Sequence, residues 1–241
     1  MFSFFKKKLY SSSLKVDIHS HLLPSLDDGV KTVEESLSII RHFESLGYKK
    51  LITTPHVMAD VYRNTAEDIQ NKLTLIQSVL KEQNLNITLH AAAEYYLDEQ
   101  LMQSIHNHEK LLTLHDKYLL FETNFLSEPL NMKEFIFLAS SRGYKLILAH
   151  PERYVYLYRQ FDKLEDLLNR GVLFQVNITS LTGYYSKQAK QMAIELINRG
   201  WVHWLGSDCH HIGHAHLVSV AISGKYFQKA LDLPLLNNSI E

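Results

Sequence analysis

Seven short apolar runs, separated by longer amphipathic stretches, dominate the hydrophobic pattern of the chain. They cover residues 16–19, 51–56, 87–94, 118–122, 146–150, 172–176 and 203–208. Six of them end in His, Glu or Asp, whereas the run 172–176 is followed by Asn177. Apolar runs of this length predict buried parallel strands. Because the carboxyl ends of such strands converge on one face, the pattern predicts a single cluster of metal-ligating side chains.

The amphipathic stretches between these runs predict helices. Thr32 and Glu35 have the spacing of a capping box, and Gly47 predicts the end of the helix that they begin. Residues 68–80 and 187–197 also carry apolar side chains at helical spacing. Gly47 stands between the first of these predicted helices and the next apolar run. Three further glycines, Gly143, Gly171 and Gly200, stand at the same kind of helix–strand junction.

The spacing of the runs predicts the fold class. Run ends at residues 94, 122 and 150 are 28 residues apart, and the next interval, from 150 to 177, is 27. This is the length of one strand and one helix with short loops. Seven such units predict an α/β fold closed into a barrel, and a doubly wound open sheet is the alternative. We expect residues 16–241 to form one domain, preceded by a poorly ordered N-terminal extension of residues 1–15.

Composition narrows the possible partners. A net charge of -1 and a pI near 6.9 provide no bulk attraction to nucleic acid or to anionic lipid, so a phosphate would have to be held locally. No run approaches the roughly 20 apolar residues of a membrane-spanning helix, so an integral membrane protein is not expected. The aromatic and lysine residues of the first eight positions could also form a membrane-touching tail. The single cysteine, Cys209, excludes an internal disulfide and predicts a cytoplasmic protein.

The candidate ligands lie at or just after the run ends. His19 and His21 are two residues apart, so in an extended strand both imidazoles face the same side. Asp28 lies in an Asp-Asp-Gly sequence, which predicts either a carboxylate that closes over bound ions or an ordinary turn. Glu122 follows a buried strand, where a carboxylate is costly unless it is paired or metal-bound. The full candidate set is His19, His21, Asp28, His56, Glu94, Glu122, His150, Asp208 and His210.

Five imidazoles and four carboxylates exceed what one ion can use, since a divalent ion takes about four to six ligands. We therefore expect two or three divalent ions with bridging carboxylates. The donor set suits Mn²⁺, Fe²⁺ or Zn²⁺ and does not distinguish among them. Adjacent ions can bridge a hydroxide and hold phosphate oxygens for in-line attack.

Arg153 and several tyrosines are candidates for substrate contact. Arg153 lies three residues beyond His150, where a guanidinium could bind a phosphate oxygen or form a surface salt bridge with Glu152 or Asp162. Tyrosines near the run ends could stack on a substrate ring or could simply pack the loops. They are Tyr62, Tyr95, Tyr96, Tyr154, Tyr184 and Tyr185. Asn177, which follows the one run without a ligating end, is expected to border the substrate rather than a metal.

Seven short segments, in their order along the chain, resemble the motifs of a known family. They are D-I-H-S-H at 17–21, L-D-D-G at 26–29, T-P-H at 54–56, E-Y-Y at 94–96, Glu122, A-H-P-E-R at 149–153 and S-D-C-H at 207–210. The chain resembles the polymerase-and-histidinol-phosphatase (PHP) superfamily, and within it the manganese-dependent tyrosine phosphatases of bacterial capsular and exopolysaccharide loci. The resemblance implies a distorted, TIM-like (β/α)₇ barrel. It also implies two or three divalent ions, with Mn²⁺ favoured over Fe²⁺ or Zn²⁺.

The resemblance assigns the ligands to three ions. His19, His21, Glu94 and Asp208 would hold the first ion, and Glu94 would bridge to a second held with Glu122 and His150. Asp28, His56 and His210 would hold the third. A hydroxide bridging the metals would attack phosphorus while Arg153 binds the phosphoryl group. The residues implied in catalysis itself are Arg153, Asp28 and His210.

One departure from the family pattern concerns the segment after His210. Related phosphatases often place an arginine there, whereas this chain has none between residues 210 and 216. Whether His211, His214 or His216 helps to bind phosphate is open, and we expect these histidines to lie in a solvent-exposed loop.

The leading hypothesis is metal-dependent hydrolysis of phosphotyrosine on proteins, with the C-terminal tyrosine cluster of a bacterial polysaccharide-assembly kinase as the expected partner. Cys209 is not a candidate nucleophile, because position 215, six residues on, is Ala rather than Arg. A PHP-type histidinol phosphatase would use the same metals on an alkyl phosphate. A metal-dependent deoxyribonuclease or amidohydrolase barrel also begins with H-x-H. A regulatory protein that holds metals without turnover is the alternative from another class.

Overall fold

The computed structural model describes residues 13–115 and 117–240. Most of the predicted N-terminal extension, residues 1–12, lies outside the described residues. Leu14, which was assigned to that extension, is only 1% exposed and packs in the main hydrophobic core.

Strands and helices alternate along most of the chain. Within the described residues, the strands are β1 (Val16–Asp17), β2 (Lys50–Thr53), β3 (His56–Val57), β4 (Thr88–Ala91), β5 (Glu94–Tyr96), β6 (Tyr118–Glu122), β7 (Lys145–Ala149), β8 (Leu173–Asn177) and β9 (Trp204–Gly206). The helices are α1 (Val33–Ser45), α2 (Ala66–Glu82), α3 (Glu99–His106), α4 (Met132–Ser141), α5 (Phe161–Asn169), α6 (Lys187–Asn198), α7 (Ile212–Ile222) and α8 (Lys225–Leu231). Short 3-10 turns cover Pro151–Arg153, Val155–Leu157, Ile178–Thr182 and Asn237–Ile240.

All strand pairs are parallel, and the strands form two curled sheets in an α/β fold. One sheet has the order β1-β2-β4, and the other has the order β3-β5-β6-β7-β8-β9. Two of the predicted runs are each divided into two strands, so His56 and Glu94 begin β3 and β5 instead of ending a strand. At the first break, Pro55 has no N–H to continue the ladder.

Backbone hydrogen bonds continue across these breaks. The Ala92 amide donates to the Thr53 carbonyl (2.9 Å), and the Glu94 amide donates to the Pro55 carbonyl (3.1 Å). The first and last runs also meet, because Ser20 and Cys209 form a parallel bridge. The candidate ligands at these positions are therefore held by regular backbone pairing.

Apolar side chains cover both faces of the longer strands. On β6, Leu119 and Phe121 pack in the main core beneath the helices, while Leu120 belongs to a smaller inner cluster that also contains Ile147 and Trp204. Alternation of this kind follows from the two-residue period of a strand. It explains why the strands appear as nearly continuous apolar runs in the sequence.

The predicted helix boundaries agree with the structure. Thr32 caps α1 in a capping box with Glu35. Gly47 has φ 94°, a left-handed conformation that glycine adopts without strain. The helix predicted at residues 68–80 is α2, which begins two residues earlier and ends two later, and that predicted at 187–197 is α6. Among the described residues, none of the helices combines the length and apolar character that crossing a membrane requires.

Candidate metal centre

The structure brings all nine candidate ligands together at one end of the sheets. Eight of them are buried or partly buried, whereas the Asp28 side chain is 54% exposed at the mouth of the cluster. Seven of the nine supply the nitrogen and oxygen atoms of three groups in which candidate ligand atoms lie within 4.8 Å of one another. The groups are His19, His21 and Glu94; His56, Glu94 and Glu122; and His21, Asp28, His56 and His210.

Glu94 lies at the centre of this cluster and is fully buried. Its Oε2 is 3.1 Å from His19 Nε2 and 3.2 Å from His56 Nδ1, and its Oε1 is 2.9 Å from His150 Nε2. One carboxylate thus faces three imidazoles from different segments of the chain, which is the arrangement of a bridging ligand.

A second buried carboxylate, Asp208, faces the paired histidines of the first run. Its Oδ1 is 3.3 Å from His21 Nε2 and 3.5 Å from His19 Nε2. The two Nε2 atoms are themselves only 3.3 Å apart. Three ligand atoms therefore point into the same small volume.

The outer part of the cluster is more accessible. Asp28 Oδ1 lies 3.5 Å from His56 Nε2 and 3.4 Å from His210 Nε2. His56 also contacts the inner part, since its Nδ1 is 3.0 Å from Glu122 Oε1. His56 therefore lies between the group containing Asp28 and the group containing Glu94.

The protonation of the histidines tests whether this cluster suits a metal. His21 Nδ1 lies 2.7 Å from the carboxylate of Asp27, which can only accept, so Nδ1 carries a proton and Nε2 is the nitrogen left to bind a metal. His19 Nδ1 lies 2.8 Å from Gln175 Oε1 in the same way. In the metal-free protein burial lowers the pKa of His19, but the charges of Glu94 and Asp208 outweigh burial and raise it to about 9, so a second proton occupies Nε2 there. A divalent cation would take the place of such protons between the two Nε2 atoms and the Glu94 and Asp208 carboxylate oxygens. The residues fit divalent metal ions.

The backbone is strained at two of these ligands. His150 has φ 34° and Asp208 has φ 48°, the left-handed region that non-glycine residues rarely adopt. Each such conformation costs about 1–3 kcal/mol and persists where the surrounding structure imposes it. Both lie where the chain turns out of a strand, and the strain directs their side chains into the cluster.

The ionisation of the carboxylates reflects this crowding. Burial raises the pKa of Glu94, but the opposing charges of His19 and His56 outweigh burial and hold it well below its usual range. Burial likewise raises the pKa of Asp208, and His19 and His210 outweigh it. Both groups are therefore carboxylates at neutral pH, as metal ligands must be. Burial raises the pKa of the Cys209 thiol well above its usual range, which agrees with the exclusion of Cys209 as a nucleophile.

Arg153 lies beside the cluster between two aromatic rings. Its guanidinium carbon is 4.5 Å from the Phe125 ring centroid and 4.2 Å from that of Tyr185. One of its terminal nitrogens, Nη1, donates to Asp208 Oδ2 at 2.9 Å. The surface salt bridge considered for Arg153 is therefore not formed, and the side chain is held at the metal cluster by stacking and by an ion pair.

A cavity of about 530 Å³ opens above the cluster and is lined by Asp28, His56, Met58, Tyr62, Glu122, Phe125, His150, Arg153, Tyr184, Tyr185, Asp208, His210, His211 and His214. Three of the six candidate rim tyrosines line it, namely Tyr62, Tyr184 and Tyr185. Tyr95 and Tyr154 are buried and pack in the core instead. A wider groove of about 690 Å³ between α1 and α7 contains none of the nine candidate ligands.

The segment after His210 differs from the expected exposed loop. It begins helix α7, and His214 is buried within it. His211 and His214 line the cavity, whereas His216 packs against His42 on the other side of α7, with ring centroids 4.9 Å apart. His211 and His216 are exposed, as expected, but the prediction of a loop was wrong, because the apolar residues of α7 pack this segment on the core and bury His214.

Several residues outside the predicted ligand set support the cluster. Asp27 binds His21 Nδ1 and also accepts from the His56 amide (3.0 Å), so it orients two candidate ligands at once. Gln175 binds His19, and Tyr185 donates to Asp208 Oδ2 at 3.0 Å. Asn177, expected to border the substrate, is fully buried and donates to the same Asp208 oxygen at 2.7 Å. For Asp27, the only sequence signal was its position in the L-D-D-G segment.

Comparison with known proteins agrees with this geometry. CapC of Staphylococcus aureus is 28% identical over 197 residues, which cover 82% of this chain and 77% of CapC. The tyrosine-protein phosphatase YwqE of Bacillus subtilis is 27% identical over 198 residues, covering 82% of this chain and 78% of YwqE.

Solved structures show the same fold. One from a crystallographic study of YwqE from Bacillus subtilis and CpsB from Streptococcus pneumoniae, described there as unique metal-dependent tyrosine phosphatases, superposes with a TM-score of 0.82 and 24% identity over 93% of each chain. The family model for capsular polysaccharide synthesis proteins CpsB/CapC matches residues 15–221. The family expected from the sequence motifs is confirmed: the chain belongs to the CpsB/CapC family of capsular polysaccharide synthesis proteins.

Proposed function

We propose that this protein is a metal-dependent protein tyrosine phosphatase. The observation that carries the proposal is the group of converging imidazole nitrogens and carboxylate oxygens beside a stacked arginine, at the base of a cavity lined by tyrosines. The relatives named as tyrosine-protein phosphatases support this substrate class.

The nine residues would hold two or three divalent ions, and Mn²⁺ is the ion that we propose. His19, His21, Glu94 and Asp208 would bind the first, Glu94 with Glu122 and His150 the second, and Asp28 with His56 and His210 the third. When bound, the ions would supply a hydroxide nucleophile at neutral pH and neutralise the phosphoryl oxygens. His56, which contacts both Asp28 and Glu122, lies where the second and third sets meet.

The side chains of the cavity would bind and orient the substrate. Arg153 would donate to a phosphoryl oxygen from its position between Phe125 and Tyr185. Tyr62 and Tyr184, on the cavity wall, would contact the phenyl ring of the substrate. Attack forms one P–O bond and breaks the bond to the phenolic oxygen, which leaves as a phenolate. Because the conjugate acid of this leaving group has a pKa of about 10, little protonation is needed.

The C-terminal tyrosine cluster of a bacterial tyrosine kinase is the partner that we propose. Membership of a capsular polysaccharide synthesis family supports a substrate in that assembly process. The buried, unpaired Cys209 is compatible with the reducing cytoplasm as the compartment.

We also infer that the two sheets belong to one distorted seven-unit barrel. The hydrogen bonds that cross the breaks at Pro55 and Ala92, together with the bridge between Ser20 and Cys209, support this description. A barrel of this kind would explain why the ligands of the first and last runs meet at one site.

A substrate comparison tests the proposed function. In the presence of Mn²⁺, the protein should hydrolyse phosphotyrosine peptides faster than histidinol phosphate, and chelator or His150→Ala should abolish turnover. Faster hydrolysis of histidinol phosphate would favour the histidinol phosphatase alternative. If neither substrate is hydrolysed by the metal-loaded protein, the chain is better described as a metal-binding regulator.

A further inference from the structure

Two amide side chains on β8, Gln175 and Asn177, lie next to the metal cluster without lining the cavity. Both are fully buried. They are two residues apart and therefore face the same side of the strand. A buried amide costs free energy unless its donors and acceptors are satisfied, so the partners of these two groups are informative.

The two amides form a chain of hydrogen bonds between candidate ligands. Asp208 Oδ2 can only accept, so the group facing it at 2.7 Å is the Asn177 NH₂. The Asn177 oxygen consequently faces Gln175 and accepts from the Gln175 NH₂ at 2.8 Å. The remaining Gln175 oxygen lies 2.8 Å from His19 Nδ1, which must donate. The carboxylate of Asp208 thus determines, through two amides, which nitrogen of His19 carries a proton.

A backbone donor independently fixes which atom of the Gln175 amide is the oxygen. The backbone N–H of His150 can only donate, and it points to the same Gln175 Oε1 at 3.4 Å. The space around the amide is also restricted, because a Cβ at position 206 would lie 2.7 Å from both Gln175 Nε2 and His19 Cβ. Gly206 is therefore required for the close approach of β9 to this amide.

We infer that Gln175 and Asn177 are positioning residues for the metal centre. They hold His19 with Nδ1 protonated, so that Nε2, directed at Glu94 and His21, is the nitrogen that would bind a metal, and they tie this histidine to Asp208 and His150. This inference rests on the proposed metal-binding role of the cluster. Partners of this kind set the ring orientation and basicity of a histidine ligand, and their loss typically weakens metal binding about 10- to 100-fold.

The test measures Zn²⁺ affinity by chelator competition in the full-length protein. Gln175→Leu removes the acceptor at similar side-chain volume, and Gln175→Glu keeps an oxygen facing His19. Gln191→Leu makes the same exchange on α6, where the exposed Gln191 side chain bonds to Glu195, and serves as the matched control. We expect Gln175→Leu to weaken Zn²⁺ binding by about 10- to 100-fold, Gln175→Glu to weaken it less, and the control to leave it unchanged.

A spectroscopic readout separates positioning from a general structural role. In the Zn²⁺-loaded protein labelled with ¹⁵N-histidine, the Nδ1–H of His19 should be protected from solvent exchange. It should remain visible in Gln175→Glu and in Gln191→Leu and disappear in Gln175→Leu. A role in folding alone would lower the melting temperature of the metal-free protein without changing this signal or the Zn²⁺ affinity.

Wild-type Zn²⁺ affinity together with a retained His19 N–H signal in Gln175→Leu would overturn the inference. If that variant does not fold, Asn177→Asp provides the same test, since a second carboxylate facing Asp208 removes the donor there. Wild-type affinity in Asn177→Asp would again reject the positioning role. If the variants lose Zn²⁺ affinity as expected but the wild-type protein does not hydrolyse phosphotyrosine, this inference stands and the proposed function is rejected.

Discussion

Arg153 provides the most direct test of the proposed phosphate-binding geometry. Its side chain is 24% exposed, stacks between Phe125 and Tyr185, and reaches Asp208 at 2.9 Å. The planar guanidinium can pair with a phosphoryl oxygen while it remains stacked, which an ammonium group cannot reproduce. We therefore predict that Arg153→Ala and Arg153→Lys both impair catalysis, and that the alanine variant is the more impaired.

The magnitude follows from the contacts. Loss of one preorganised donor to transition-state charge costs about 2.7–4 kcal/mol, or about 10²- to 10³-fold in rate. The metals should remain, because Asp208 keeps two donors, from Asn177 and Tyr185, when Arg153 is removed. The low pKa of Asp208 also depends more on His19 and His210 than on Arg153, although burial opposes all three.

The assay is kcat/KM on a phosphotyrosine peptide with Mn²⁺, accompanied by elemental analysis of each variant. Arg170→Ala is the matched control, since Arg170 forms an exposed ion pair with Asp166 on the surface. We expect Arg153→Ala to lose about 10²- to 10³-fold in kcat/KM at unchanged metal content. Unchanged kcat/KM would remove Arg153 from the active site, and loss of metal would assign it a structural role at Asp208 instead.

Three further predictions concern stability. Thr32→Ala removes the acceptor for the Glu35 amide, so calorimetry should show a loss of about 1 kcal/mol in the free energy of unfolding and a fall in Tm of about 2–4 °C. An unchanged Tm would show that the cap does not stabilise the protein. Mn²⁺ at 100 times its Kd should stabilise the folded protein by about 2.7 kcal/mol, and chelator should reverse this; no shift in Tm would contradict metal binding by the folded state. Burial raises the pKa of Asp17 to about 7, so the metal-free protein should lose stability as pH rises from about 4 to 7, because the folded state binds this proton more tightly than the unfolded state. Asp17→Asn should therefore stabilise the protein at pH 8 by at most about 4 kcal/mol and much less at pH 4, as measured by urea denaturation, and an equal effect at both pH values would refute the ionisation argument.

The candidate ligands were accessible from sequence because they lie at the ends of apolar runs. His19, His21, Glu122 and His150 lie at or just after the ends of buried strands, so a polar residue at such a position is conspicuous. The helix boundaries were accessible for a similar reason, since the capping box at Thr32 and the left-handed glycine at Gly47 are local features. Local hydrogen bonding and backbone sterics determine them wherever the chain folds.

Features that depend on contacts between distant segments could not be predicted from the sequence. Gln175 lies inside an apolar run, and its partners, His19 and His150, are 156 and 25 residues away. The burial of His214 depends on how α7 packs, and the position of Glu94 among three histidines depends on where β5 begins. Sequence alone thus determined which residues could bind metal and at which face of the fold, because strand periodicity is local. Only the tertiary structure decided which of them meet and how their protons are arranged, because hydrogen bonds and ion pairs act over a few ångströms between segments that only folding brings together.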